Sequence, residues 1–311
     1  MSKALIAIDK SASFRVYLTI TTEMAEEART IHQATPLAAA ALGRVLTGTG
    51  LMALMMKNDG DKITVQFKGD GPAREILATA KGNGKVKGYI SNPSVDLPLK
   101  ANGKLDVGGA LGIGTLTVIK DLGLKEPYIG KIDLVSGEIA EDFTAYFFVS
   151  EQQASSVALG VKIARDYSVA ASGGMIIQML PQGDEAAVDA LETMLNKMEP
   201  ISSLIEAQTN AGEEKTEEAL LKELLQNIFS EMPEEFQVTP LEYREIGWEC
   251  DCCGERLEQI LMSLGKQELE TILQEDGQAE LVCQFCTKKY HFDSTHLKDL
   301  IEELNENEIK K

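Results

Sequence analysis

WECDCCGERLEQ, residues 248–259, sets three cysteines into four positions, and LVCQFCTKKYH, residues 281–291, adds two more. These five are all the cysteine in the 311-residue chain, and the first 249 residues have none. Two couples of close thiols some thirty residues apart have the spacing of a four-ligand structural zinc site. Zinc takes four soft ligands in a tetrahedron; one tight turn presents two sulfurs and a second couple closes the shell. Cysteines that only pack behave as small hydrophobes scattered through a core, not set in couples. Cys283 and Cys286 form an unambiguous C-x-x-C. The first group allows Cys250 with Cys252, or Cys250 with Cys253, the second choice giving an ordinary symmetric zinc ribbon. His291 and His296 offer a Cys3His variant.

Outward from the cysteines the texture is helical. DEAAVDALETMLNKME carries Ala187, Val188, Leu191, Met194, Leu195 and Met198 at helical spacing, with Asp184 as N-cap and Pro200 as the stop. A second helix is expected at about 202–209. TEEALLKELLQNIF then puts Leu220, Leu221, Leu224, Leu225, Ile228 and Phe229 on one face, with Thr216 as N-cap. These stripes read either as a helical hairpin completing a core or as a linker whose apolar faces can be covered and uncovered. Before Pro181 the chain reads as strands with helices between them. RVYLTIT, KITVQF, EILATAK, KVKGYIS, LTVIKD, FTAYFFVS and MIIQML are short β-branched or aromatic runs, and GNG at 82–84 is a hairpin turn. Residues 36–57 and SSVALGVKIARDY, 155–167, are expected to be helices. The fold class is therefore α+β: an N-terminal mixed strand and helix domain (1–182), an amphipathic helical linker (183–236), a small zinc-binding domain (237–297) and a charged tail (298–311).

Composition narrows the function. With 44% hydrophobic and 25% charged residues the chain is globular. Residues 205–236 hold nine acidic and two basic residues, net −7, and residues 237–311 hold seventeen acidic and eight basic, net −9, out of −19 overall. Phosphate backbones select the opposite sign, so no nucleic-acid partner is expected for this part. The N-terminus shows no basic stretch followed by an apolar run, so a cytoplasmic, reducing location is expected; clustered cysteines there are metal ligands or redox sensors more often than structural disulfides. PLAAAALGRVLTGTGLMALMMK, Pro36–Lys57, carries Arg44 at mid-span, three glycines and two threonines, and reads as a buried core helix rather than a membrane span. Gly109-Ala110-Leu111-Gly112-Ile113-Gly114 has the wrong spacing for a dinucleotide fingerprint and reads as a flexible loop; there is no G-x-x-x-x-G-K-[ST]. The N-terminal region has one histidine, His32, read as a satisfied residue, and no recognisable catalytic constellation, so no enzyme is expected.

C-x-C, thirty residues, then C-x-x-C, preceded by Trp248, resembles the redox-regulated heat-shock holdase family known as the 33 kDa chaperonin. So do HQATPLAAAALGRVLTGTGLM, KGDGPAREILATAKGNGKVKGYISNP, GTLTVIKDLGLKEPYIGKIDLVSGEIAEDFTAYFFVSEQQASSVALGV and GGMIIQMLP. The resemblance covers nearly the full length, the tail after about 297 excepted. It implies that Cys250, Cys252, Cys283 and Cys286 bind one zinc ion per chain in the reduced form and are the redox-active cysteines, with Cys253 a spare thiol that could substitute for Cys252. Short loops favour Cys250 with Cys252 and Cys283 with Cys286 among the three possible connectivities. It further implies an ATP-independent holdase of the stress response, active under oxidative stress, that protects protein folding by binding unfolding clients. The resemblance also implies that the active form is a homodimer through the N-terminal domain, and no membrane partner is expected. Losing the metal should unfold residues 237–297 and release what packs on them, the two upstream stripes being the expected elements. The rivals are a thiol–disulfide oxidoreductase using Cys283-x-x-Cys286, although such motifs normally sit at the start of a helix in a thioredoxin-like unit, and a zinc-ribbon nucleic-acid adaptor.

Overall fold

The computed structural model describes residues 2–210 and 215–309. The chain divides into two compact units, Met1–Glu249 and Cys250–Lys311.

The first unit opens with β1 (Ser2–Asp9), β2 (Phe14–Ile20), α1 (Thr22–His32) and α2 (Pro36–Ala53). It continues with β3 (Lys62–Gly69), β4 (Glu75–Lys81), β5 (Lys85–Ile90), α3 (Val107–Leu111), β6 (Gly114–Asp121), β7 (Tyr128–Asp133), α4 (Ala140–Val149), β8 (Ser155–Ile163) and β9 (Val169–Met179). Helices α5 (Glu185–Lys197), α6 (Ile201–Thr209) and α7 (Glu217–Ile228) follow, then β10 (Val238–Trp248). Among the described residues these ten strands form one sheet in the order β7-β6-β3-β4-β5-β10-β1-β2-β9-β8. Strand β10 is the seam: it runs antiparallel to β1 along its length and touches β5 through two parallel pairs, Gly247 with Lys85 and Trp248 with Val86.

One face of the sheet packs on α2, whose first turn is set by Pro36 and by Thr35, which accepts from Ala38 N at 3.2 Å. Helix α2 is long and apolar enough to cross a membrane, but 89% of that stretch is buried against the sheet and neighbouring helices. Its glycines allow the close approach: a Cβ on Gly50 would stand 2.6 Å from Ile246 Cδ1, and one on Gly48 would overlap the Phe143 ring. Arg44 leaves the helix to meet Glu138 at 2.9 Å.

The opposite face of β1, β2 and β9 is covered by α5, α6 and α7. Leu5, Phe14, Val16, Leu18, Met175 and Ile177 meet Ala187, Leu191, Met194, Ile201, Ile205, Leu221, Leu224, Leu225, Ile228 and Phe229 in one buried cluster. Asp184 and Thr216 cap α5 and α7 as expected, accepting from Ala186 N (2.9 Å) and Ala219 N (3.3 Å). Val188 is exposed and Leu220 half-buried, so the stripes are narrower than the periodicity suggests. They complete a core of the first unit, which corrects the expectation that they rest on the cysteine module.

Other expectations are corrected too. FTAYFFVS is helix α4, not a strand. Phe143, Tyr146 and Phe147 are buried at i, i+3, i+4, and the buried Asp142 carboxylate starts the helix by accepting from the amides of Val135, Ser136, Gly137 and Ile139. SSVALGVKI is strand β8, not a helix, because it closes a hairpin with β9, from Ser155 opposite Gln178 to Ile163 opposite Val169. Gly109–Gly114 is no loose loop. Asp106 caps α3 by accepting from Gly109 N at 2.9 Å, and Gly112, at φ 70°, turns the chain into β6. The domain boundary expected at Gln237 falls at Glu249/Cys250, because residues 238–248 belong to the large sheet.

The second unit contains α8 (Gly254–Ser263), α9 (Lys266–Glu275), the hairpin β11 (Ala279–Val282) and β12 (Lys289–Phe292), and α10 (Ser294–Ile309). Leu257, Leu261, Leu269, Phe292, Leu297, Leu300 and Ile301 form its buried cluster. Residues 298–309 of the expected tail are thus no separate segment, since they continue α10 and Leu300 and Ile301 belong to this core; residues 310–311 lie outside the described residues.

Candidate metal centre

Two short backbone devices bring the sulfurs together. Residues 249–253 run as irregular chain into α8, where Cys253 is the N-terminal boundary residue, extended at φ −141° and ψ 163°. Cys250 and Cys252 stand in the sulfur cluster, and Cys253 is exposed outside it. Arg256 reaches back to Asp251 at 3.6 Å and ties this stretch to α8. The second couple occupies the turn between β11 and β12. Cys283 N donates to Lys288 O (2.9 Å) and Thr287 N donates to Cys283 O (2.8 Å), with Thr287 in the left-handed region at φ 59°.

The Sγ atoms of Cys250, Cys252, Cys283 and Cys286 all lie within 4.8 Å of one another. Cys250 and Cys283 approach to 3.7 Å, and Cys252 and Cys286 to 3.3 Å. A zinc ion with bonds of about 2.3 Å has tetrahedral S···S edges of about 3.8 Å, so the four sulfurs fit that ion in number, chemistry and spacing. The alternatives fall away on position. His291 faces Glu280 at 3.3 Å; His296 faces Glu258 at 3.0 Å and lies edge-on to Phe292. Cys283-x-x-Cys286 sits in a hairpin turn, whereas oxidoreductase motifs of this spacing normally open a helix. His32 binds Gly88 O at 3.1 Å and packs edge-on to Trp248.

Tyr290 of β12, which sequence reasoning missed, adds a further contact. Its hydroxyl stands 3.2 Å from Cys252 Sγ and 3.1 Å from Cys252 O. Burial pushes the Cys250 and Cys286 thiols up. Burial also works against the Cys252 thiolate, but hydrogen bonds from Tyr290 and the other thiols outweigh it and bring this group down to about 7. The hydrogen bond to Cys252 in turn raises the Tyr290 phenol. Metal ligands of this type bind as thiolates, and the Tyr290 hydroxyl favours that form at Cys252. No spacing rule announces Tyr290; it is found only once the hairpin register, Leu281 opposite Tyr290, is known.

Comparison with known proteins agrees with this construction. The family model described as Hsp33 protein matches residues 2–293. The 33 kDa chaperonin of Alkaliphilus oremlandii is 49% identical over 96% of this chain and 95% of its own length, and that of Clostridium tetani is 43% identical over 97% and 99%. The crystal structure of the 33 kDa chaperonin (heat shock protein 33 homolog) of Thermotoga maritima superposes with a TM-score of 0.85 at 34% identity, covering 98% of this chain and 99% of that one. A match running from the first strand through the four-sulfur centre, in sequence and in fold alike, means that the chain belongs to the Hsp33 family.

Proposed function

We propose that this chain is a redox-regulated, ATP-independent chaperone that holds unfolding proteins, inactive while reduced and metal-loaded and active once its cysteines are oxidised. The convergence of four sulfurs within 4.8 Å carries the reading. A zinc ion held by Cys250, Cys252, Cys283 and Cys286 would supply a permanent charge that keeps all four sulfurs as thiolates and would tie the start of the second unit to the β11–β12 turn.

The chain's own residues do the rest. A thiolate attacks peroxide, the O–O bond breaks, and the sulfur becomes a sulfenic acid; a neighbouring thiolate then displaces hydroxide to form a disulfide. Each disulfide passes two electrons to one peroxide, so four cysteines consume two. Cys250 with Cys252 and Cys283 with Cys286 remains our assignment, on loop length. Disulfide sulfur no longer offers negative charge to a cation.

A structural zinc site contributes roughly 10–16 kcal/mol of apparent binding free energy. A core the size of the second unit's rarely supplies more than about 3–5 kcal/mol of net stability. Oxidation should therefore unfold this unit. Cys250 follows β10 after one residue, so disorder begins at the seam of the large sheet and loosens the cover formed by α5–α7. The apolar face of β1, β2 and β9 and the freed stripes then meet clients, and the net charge of −19 keeps the open form in solution. We place the protein in the cytoplasm as a homodimer through its first unit.

Light scattering of an unrelated denaturing protein, with reduced and oxidised chain in parallel, tests the reading. Peroxide with mild heating should release one zinc per chain and suppress the scattering. Complete zinc release with undiminished scattering would refute it.

A further inference from the structure

Within the sulfur cluster one ligand is restrained by a side chain. The sulfurs of Cys250 and Cys286 approach other sulfurs, Cys283 at 3.7 Å and Cys252 at 3.3 Å. Cys252 also takes the hydroxyl of Tyr290, shared between its sulfur at 3.2 Å and its carbonyl at 3.1 Å. Tyr290 is held in place by its β12 register opposite Leu281 and by the Lys288 ammonium, 5.0 Å from its ring centre. We propose that Tyr290 is a positioning residue that holds Cys252 back from peroxide and so sets how much oxidant the centre tolerates.

When all four sulfurs are thiolates they no longer differ in protonation; what distinguishes them is how available each lone pair is. Attack by Cys252 on hydrogen peroxide forms an S–O bond and breaks the O–O bond. Two electrons leave the sulfur, hydroxide departs, and the product is the sulfenic acid. A neighbouring thiolate then attacks that sulfur and expels a second hydroxide as the S–S bond forms. Tyr290 is unchanged throughout. Its O–H bond to the sulfur occupies the electron density that attack requires, and it must weaken before the S–O bond can form.

This rests on the redox reading above, and the test separates the two. In Tyr290→Phe the ring stays and only the hydroxyl is lost. Zinc release by peroxide should run about fivefold faster than in the unaltered chain, the size expected when part of a charge-assisted hydrogen bond no longer opposes attack. Labelling of Cys252 sulfenic acid by dimedone, read by mass spectrometry, should rise in step. Zinc release to a chelator without oxidant should stay within about twofold, since direct ligation is untouched. Equal peroxide rates would overturn the proposal. So would equal acceleration with peroxide and chelator, or less than one zinc per chain after reconstitution, because either makes Tyr290 a structural prop. If the unaltered chain released no zinc to peroxide, the redox reading itself would fall.

Discussion

Replacing Phe229 by alanine should loosen the cover over the sheet without touching a cysteine. Phe229 is 2% exposed at the end of α7, and its ring stacks on Phe14 of β2 at 6.1 Å between centroids and 20° between planes. Truncating a buried phenylalanine costs about 3–5 kcal/mol, of which the ring pair accounts for about 0.5–1.5. The lower value suits a residue at a helix end, where neighbours can partly collapse into the space. A loss of about 3 kcal/mol multiplies the population with α7 off the sheet by roughly 150. Amide exchange of residues 217–228 in the reduced, zinc-loaded variant should quicken by about that factor, while exchange in α2 and β3 stays as it was. The same reduced variant should suppress aggregation of a denaturing client without any peroxide. Unchanged exchange in α7 would mean that this contact does not hold the cover. A loosened α7 in a variant still unable to hold clients would mean that the face beneath α5–α7 is not where clients bind.

Two further outcomes follow from the metal centre. Cys252→Ser should lose tight zinc binding, whereas Cys253→Ser should keep one zinc per chain, counted by atomic absorption, because Cys253 is exposed and lies outside the sulfur cluster. Chelating the metal from the thiol form should abolish amide protection across α8–α10 while α2 and β3–β6 remain protected. Survival of protection in α8–α10 would show that the cluster of Leu257, Leu261, Leu269, Phe292, Leu297, Leu300 and Ile301 holds the unit unaided.

The clustering of the two thiol couples was legible because metal ligation writes its requirements into short spacings; spacing alone left Cys252 and Cys253 as alternatives, and it is Cys252 that lies with the other three sulfurs. Helix α2 and the caps of α5 and α7 were legible for the same local reason. FTAYFFVS was not: its aromatic residues favour strands, yet the pattern Phe143, Tyr146, Phe147 is helical and Asp142 starts the helix. SSVALGVKI failed in the opposite direction, since its Val157 and Val161 sit four apart but pair across to β9. Strand β10 carries no clear alternation; only Ile246 and Gly247 of its eleven residues are buried, and Pro240 sits beside an irregularity in its pairing. What makes it a strand is two partners far away in sequence, and that is why the module boundary was read too early.

The pairing of β1 with β10 joins Ser2 to Ile246 and Asp9 to Val238. At about 5–20 residues per second, a ribosome needs roughly 12–50 s to make Trp248 after the first strand has emerged. Until β10 is made, the edge of β1 and, once residue 90 has been added, the edge of β5 lack the strand that pairs with both in the finished sheet. Completion of the sheet therefore waits on the residues that immediately precede the sulfur centre, and a chain released before Trp248 has its two half-sheets joined only through the core that both share with α2.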